Sequence, residues 1–277
     1  METRESKAQK PGFDIPTLAA ISALAYVLAT FLHEHIGHAL ACILLGGSLT
    51  ELGAFYVAFN AEVLPELSQR IIALSGPVMS FITGLAGFFL FNRATKSSPQ
   101  LRYFLWLFST ISLMTATGYL LFSGVSGLGD FGNTPDGATF QLEPAWLWRL
   151  ILIASGAVSY VLVVFFSVNK MNNLIGGEGR ERIKRAQWMA IISYFSGAVA
   201  AVLIGLLNPY GLVIILISAI ASTMGGTSGL LWMMRLLNRR KSANLPPIRL
   251  ERSWLWIVIG FGFVIIYGII FGPTIRL

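Results

Sequence analysis

The sequence predicts an all-α membrane protein, a bundle of about seven transmembrane helices with a short re-entrant or β-hairpin segment after the first. Of its 277 residues, 55% are hydrophobic and 12% are charged, whereas a soluble domain carries about 25% charged residues. Seven apolar stretches are long enough to cross about 30 Å of hydrocarbon, and they are too continuously apolar for the alternating strands of a barrel. The stretches are residues 17–46, 68–92, 102–123, 146–168, 187–207, 211–237 and 254–272.

The basic residues predict how the chain crosses the membrane. All 20 except Arg70, Arg149 and Arg276 lie in the N-terminal tail or in every second connection. Since cytoplasmic connections are enriched in Lys and Arg, this alternation predicts a cytoplasmic N-terminus and, with seven spans, an external C-terminus. We therefore interpret the net charge of +7 as a topology signal. The expected location is the plasma (inner) membrane of a prokaryote, with the lipid bilayer and not nucleic acid as a partner.

The expected organisation is a cytoplasmic tail at residues 1–16, a membrane core at 17–168 and a three-span membrane extension at 169–277. No connection is long enough for a soluble domain; the longest runs from Gly124 to Ala145. Residues 52–59 are apolar but too short to cross the bilayer. Their aromatic and β-branched content favours a strand or a re-entrant segment, with an interfacial loop as the equal alternative.

All three histidines lie in one short run inside the first span, His33-Glu34-His35-Ile36-Gly37-His38. An ionisable group in hydrocarbon costs several kcal/mol and usually has a functional partner. Three histidines beside an intramembrane acid therefore favour a metal site over a purely structural polar cluster.

The spacing of the histidines leaves three ligand arrangements open. A metalloprotease helix normally carries His-Glu-x-x-His, whose histidines share one face. Here His33 and His38 are five residues apart, so they diverge by roughly 140° on an ideal helix. A π-bulge could absorb the extra residue. Alternatively, His35 and His38, or Glu34 and His38, could be the ligands on a regular helix.

A second polar cluster follows about 100 residues later, in the run from Gly129 to Gly137. It contains Asp130, Asn133 and Asp136. Pro-Asp-Gly is an ordinary turn signal, but catalytic zinc needs three protein ligands with a fourth position for water. A carboxylate on the same membrane side as the histidines would complete that set, and Asp136 is placed to do so.

These motifs resemble the site-2 protease family of intramembrane zinc metalloproteases. Three elements match in order: the His-Glu run of the first span, Ser75-Gly76-Pro77 at the next span, and Asn133-Thr134-Pro135-Asp136-Gly137. The resemblance covers roughly residues 17–168, and residues 52–63 resemble the membrane-inserted β-hairpin of the family. The last three spans match no family pattern.

The resemblance implies a catalytic site. His33, His38 and Asp136 would ligate zinc, and Glu34 would be the general base; His33 is favoured over His35 because an apolar stretch leads into His-Glu, as in the family. The substrate would be a transmembrane segment of another protein. The chain departs from the family pattern by the extra residue before His38 and by Thr134.

Two other functions remain open from the sequence. A catalytically inactive membrane scaffold could keep the protease fold while the altered spacing abolishes hydrolysis. A metal or proton transporter would also place His and Glu in a span. It would normally need further ionisable residues along a pathway, and spans five to seven supply almost none.

Overall fold

The computed structural model describes residues 12–212 and 223–277, and it confirms the all-α class. Among these residues, six helical segments are long and apolar enough to cross a membrane. They coincide with six of the seven stretches predicted from the sequence. The segments are Ile15–Leu44, Glu66–Arg93, Pro99–Ser126, Ala145–Ile175, Gly179–Gly205 and Trp254–Phe271.

The first of these segments is built from three pieces. Helix α1 (Ile15–Phe31) leads into a π-helical segment (Leu32–Ala39), which continues as α2 (Leu40–Leu44). The next four are single helices, and the last follows a short helix, α7. Their bounds are α3 Glu66–Arg93, α4 Pro99–Ser126, α5 Ala145–Ile175, α6 Gly179–Gly205, α7 Leu230–Met233 and α8 Trp254–Phe271.

The predicted span 211–237 lies partly outside the described residues. Its described part contains α7 and a 3₁₀ turn at Met234–Arg239. Before α7, residues 223–225 are π-helical and residues 226–229 form a helical turn. Tyrosines of neighbouring helices bond to carbonyls of this stretch: Tyr160 Oη donates to Gly226 O at 2.8 Å and Tyr194 Oη donates to Met224 O at 3.2 Å. Such partners replace the water that is absent from a bilayer core.

A small antiparallel sheet confirms the predicted hairpin. Strand β1 (Leu49–Leu52) pairs with β2 (Val57–Phe59). A third strand, β3 (Ile275–Arg276), pairs with the other edge of β1, so the order is β2-β1-β3. This third strand was not predicted, because a two-residue strand carries no periodic pattern.

Hydrogen bonds group the connections into two opposite faces. On the first, the basic face, the segment before α8 joins the start of α1 through Asp14 N–H and Leu250 O at 2.6 Å. The same segment joins the end of α5 through Ile248 N–H and Ile175 O at 2.9 Å. On the second, the hairpin face, Leu277 N–H donates to Thr50 O at 2.9 Å. The alternation of charge thus corresponds to two faces, and the cytoplasmic assignment of the basic face stays a prediction.

Residues of both predicted membrane parts, 17–168 and 169–277, contribute to one hydrophobic core. Buried side chains of α1, α4, α5, α6 and α7 form one cluster. A buried polar chain crosses it: Ser22 Oγ donates to Ser193 Oγ at 2.7 Å, and Tyr103 Oη lies 2.7 Å from the same oxygen. These bonds join α1, α6 and α4 where no water competes, so they fix the register of the three helices.

Candidate metal centre

The π-helical segment brings His33 and His38 together. In a π-helix the hydrogen bonds run from residue i to residue i+5, as from Leu40 N–H to His35 O at the end of this segment. Residues five apart therefore share a face. The two Nε2 atoms lie 3.3 Å apart, and both side chains are buried. The structure has the wide turn that a pairing of His33 with His38 requires.

Helix α3 orients both imidazoles through their other nitrogens. His38 Nδ1–H donates to Ile72 O at 2.7 Å, and His33 Nδ1 lies 2.9 Å from Ser80 Oγ. Because a carbonyl only accepts, His38 carries its proton on Nδ1 when neutral, which leaves the Nε2 lone pair free. In metal-binding histidines, a hydrogen bond from one ring nitrogen typically fixes the tautomer, and the other nitrogen is left to bind the metal. Here Nδ1 is the outer nitrogen, which makes the hydrogen bond, and Nε2 is the inner nitrogen.

The carboxylate beside the histidines is that of Asp130, in the loop between α4 and α5. Its Oδ2 lies 3.1 Å from His33 Nε2, and its Oδ1 lies 3.6 Å from His38 Nε2. Apart from the histidine contact, Oδ2 is buried with no hydrogen-bond partner in the described parts of the chain. One ligand atom from each of the three residues lies within 4.8 Å of the others, so the group could hold a metal ion.

The histidines keep the Asp130 carboxyl ionised. Burial alone raises its pKa, but the charge of His38 and the hydrogen bonds of both histidines outweigh burial and hold the pKa below its usual range. The group therefore offers one carboxylate anion, and His38 offers its Nε2 lone pair once the Nε2 proton has left.

Backbone packing within the loop directs Asp130 inward. Ala138 N–H donates to Asp130 O at 2.8 Å, which folds the second half of the loop over the first. Gly137 lies directly against the carbonyl of Gly132, where a Cβ atom would overlap it. Only glycine permits this approach, and the loop closes tightly enough to leave the Asp130 side chain only 17% exposed.

Asp136, the carboxylate chosen from the sequence, does not join this group. It is exposed at a turn closed by Gly137 N–H and Thr134 O at 2.8 Å. The Pro-Asp-Gly run acts here as a turn, which directs its central side chain to the surface. Asp130 belongs to the same polar cluster, but no spacing rule distinguished the two acids.

The backbones of the π-helical segment and α3 approach each other closely beside the two histidines. A Cβ on Gly37 would lie 2.7 Å from Gly76 Cα. A Cβ on Gly76 would overlap His38 Nε2 and lie 2.8 Å from His33 Nε2. Gly76 therefore forms the wall of the centre, and Gly37 lets α3 come close enough to hold both imidazoles.

His35, the alternative ligand, lies apart from the group in an aromatic enclosure. Its ring centroid is 5.2 Å from that of Phe31, 4.1 Å from Phe271 and 5.8 Å from Tyr267. Neither ring nitrogen has a hydrogen bond of good geometry within the described residues. The enclosure comes from α1 and α8, so the last span covers this side of the π-helical segment.

Glu34, the predicted general base, lines a small cavity together with His33. Its side chain is buried, and the cavity measures about 20 Å³, enough for a water molecule. Phe55 of the hairpin forms part of the wall. The hydroxyl-bearing residues of the lining are Tyr26, Thr30, Thr115, Tyr119 and Thr223. Glu34 thus faces a small cavity of mixed polar and apolar lining beside His33.

No protein-family model matches the chain, and no curated protein or solved structure is significantly similar to it.

We expect substitutions to separate the true ligand set from the alternatives. With zinc as the probe metal, wild type should bind one ion, and His33→Ala, His38→Ala and Asp130→Ala should each lose it, because each removes one of three converging ligands. His35→Ala and Asp136→Ala should keep it and serve as matched controls. Zinc stoichiometry of the purified proteins is the measurement. Loss of zinc in Asp136→Ala with retention in Asp130→Ala would reverse the assignment.

Gly76→Ala should weaken zinc binding at least about tenfold, a loss typical of displaced ligands. The added methyl group would occupy the space of His38 Nε2. Gly262→Ala is the control, since a Cβ on Gly262 of α8 meets nothing within 4 Å. Competition with a zinc chelator measures the affinity. Equal affinities in the two variants would contradict the position of the wall.

Deleting Ile36 should preserve zinc binding. A π-bulge is one extra residue in an α-helix, so the deletion gives ordinary His-Glu-x-x-His spacing without rotating the flanking helix. Inserting one alanine after Ile36 should abolish binding, because no regular turn aligns residues six apart. Zinc content and thermal unfolding in detergent check both variants. A folded deletion variant without zinc would show that the π-helical segment itself is required.

Proposed function

We propose that the protein is an intramembrane zinc metalloprotease, related in mechanism to the site-2 protease family. The observation that carries the proposal is the convergence of His33, His38 and Asp130 beside a buried glutamate. This convergence lies within a bundle of membrane-spanning helices. The order of elements along the chain, with the glycine wall between the histidines and the acid, supports the resemblance found in the sequence.

The donor set fits zinc. Two imidazole nitrogens and one carboxylate are the protein ligands of a common class of catalytic zinc sites, which keep a fourth position for water or substrate. The convergence of Asp130 on both Nε2 atoms and the outward bonds of both Nδ1 atoms are explained if a cation lies among the three residues. When bound, zinc supplies a Lewis acid that lowers the pKa of water and polarises a carbonyl.

Glu34 would move the proton. A water molecule in the cavity would give a proton to the Glu34 carboxylate as its oxygen bonds to the scissile carbonyl carbon. When the carbon–nitrogen bond breaks, Glu34 would return that proton to the leaving amine, so the products are a carboxylic acid and an amine. General base and acid action of this kind contributes about 10²–10⁴-fold in rate.

A membrane segment of another protein is the proposed substrate. The centre lies on the hairpin-face half of the first span, and Phe55 brings the hairpin to the cavity wall. Because a cavity of about 20 Å³ holds no peptide, a substrate has to enter by displacing an element that lines it. The alternation of basic connections predicts that this half of the bundle faces the extracytoplasmic side.

Glu34→Gln tests catalysis separately from metal binding. The variant should keep zinc, because Glu34 is outside the ligand group, and should cleave at least about 100-fold more slowly. The assay uses single-span model peptides with helix-weakening Gly and Pro residues in detergent, read by mass spectrometry. Glu62→Gln is the matched control, since Glu62 is exposed on the hairpin face, and it should cleave at the wild-type rate.

Three outcomes would contradict the proposal. Cleavage by Glu34→Gln at the wild-type rate would remove the assigned base. Zinc-loaded wild type that cleaves no peptide of the set would favour the inactive scaffold. Zinc transport into vesicles without cleavage would favour the transporter.

A further inference from the structure

A large groove opens on the basic face, away from the metal centre. It has a volume of about 980 Å³. Its walls are the start of α1, the first turns of α6 and the segment before α8. All three helices begin at this level, so the groove lies where the bundle meets the headgroup region.

The groove contains cations that the protein leaves unpaired. Four basic and three acidic side chains line it, and two of the acids are neutralised internally. Asp14 lies 3.1 Å from Arg252, and Glu181 lies 3.6 Å from Lys184.

Arg185 and Arg249 make no ion pair within residues 12–212 and 223–277. The Arg185 Nη1 atom is buried with no hydrogen-bond partner there. That nitrogen is covered by the protein, but the rest of the Arg185 side chain lines the groove and pairs with no carboxylate there. Because a guanidinium matches phosphate geometry, Arg185 and Arg249 offer an anion a site. Glu251 is the one remaining acid of the lining, so the free charge is positive.

Helix α6 gives the groove a charged end and an apolar end. Lys184, Trp188 and Ile192 line it at spacings of four residues, and Arg185 lies three residues before Trp188, so these side chains lie on one side of the helix. From Lys184 to Ile192 the helix rises about 12 Å. The side chains change over this distance from cationic through an interfacial tryptophan to aliphatic. An elongated ligand with an anionic head and an apolar tail would fit that order.

We propose that the groove binds one anionic phospholipid of the surrounding leaflet. Its phosphate would lie at Arg185 and Arg249, and its acyl chains would lie along Trp188 and Ile192. Basic pockets between membrane helices are suited to such headgroups. The N-terminal tail is a poorer electrostatic match, because residues 1–11 carry three basic and two acidic side chains. This inference is independent of the proposed proteolysis.

Native mass spectrometry in a neutral detergent tests the site. Dioleoyl-phosphatidylglycerol and dioleoyl-phosphatidylcholine are titrated separately, and the affinity of the first bound lipid is measured. Wild type should prefer phosphatidylglycerol. Arg185→Gln and Arg249→Gln should each weaken its binding about fivefold without changing that of phosphatidylcholine. Trp188→Ala should weaken both lipids, because it removes a contact to the acyl chains.

Arg180→Gln is the matched control on the same helix. Arg180 is exposed and lies outside the groove. Its substitution by Gln removes the same charge as the other two, so the variant should bind phosphatidylglycerol as wild type does. Equal loss in this variant, or equal affinity of wild type for both lipids, would overturn the site.

Two further outcomes would overturn the choice of occupant. Displacement of phosphatidylglycerol by millimolar inorganic phosphate would indicate a site for free anions. Binding seen only after deletion of residues 1–10 would identify the tail as the occupant. Unchanged thermal unfolding of each variant verifies that the fold is intact.

Discussion

The backbone contact between Gly37 and Gly76 is the constraint on which the candidate metal centre depends. It brings α3 against the π-helical segment so closely that α3 can bond to the outer nitrogens of both histidines. A side chain on either glycine would separate the two helices. The Nε2 atoms of the two histidines would then no longer point toward the same position. The position of Asp130 matters only because this contact first aligns the imidazoles.

The fold was largely predictable because its signals are local. Long apolar stretches gave the spans, and the alternation of basic connections gave the grouping into two faces. Aromatic and β-branched residues after the first span predicted a strand or a re-entrant segment there, and the family resemblance predicted that it is a hairpin. The wide turn around Gly37 was predictable as one of three alternatives, because ligand spacing limits how His33 and His38 can meet.

The identity of the acid beside the histidines was not predictable, for a physical reason. Which of Asp130 and Asp136 faces inward depends on how the loop backbone folds on itself, and Gly132 and Gly137 decide this by packing in contact. The sequence contains both glycines, but their spacing does not predict that their backbones are in contact. Strand β3 was not predicted for a similar reason, because it forms only by pairing with the edge of β1, which is distant in the sequence.

The residues after α5 belong to the surroundings of the centre, although no family pattern covers them. Helix α8 supplies two of the rings that enclose His35. That enclosure has a spectroscopic consequence. An imidazole surrounded by three aromatic rings experiences strong ring currents, so the carbon-bound protons of His35 should resonate far from those of an ordinary histidine. Because the enclosure exists only while α8 packs against the π-helical segment, these resonances would report by NMR whether the last helix is docked.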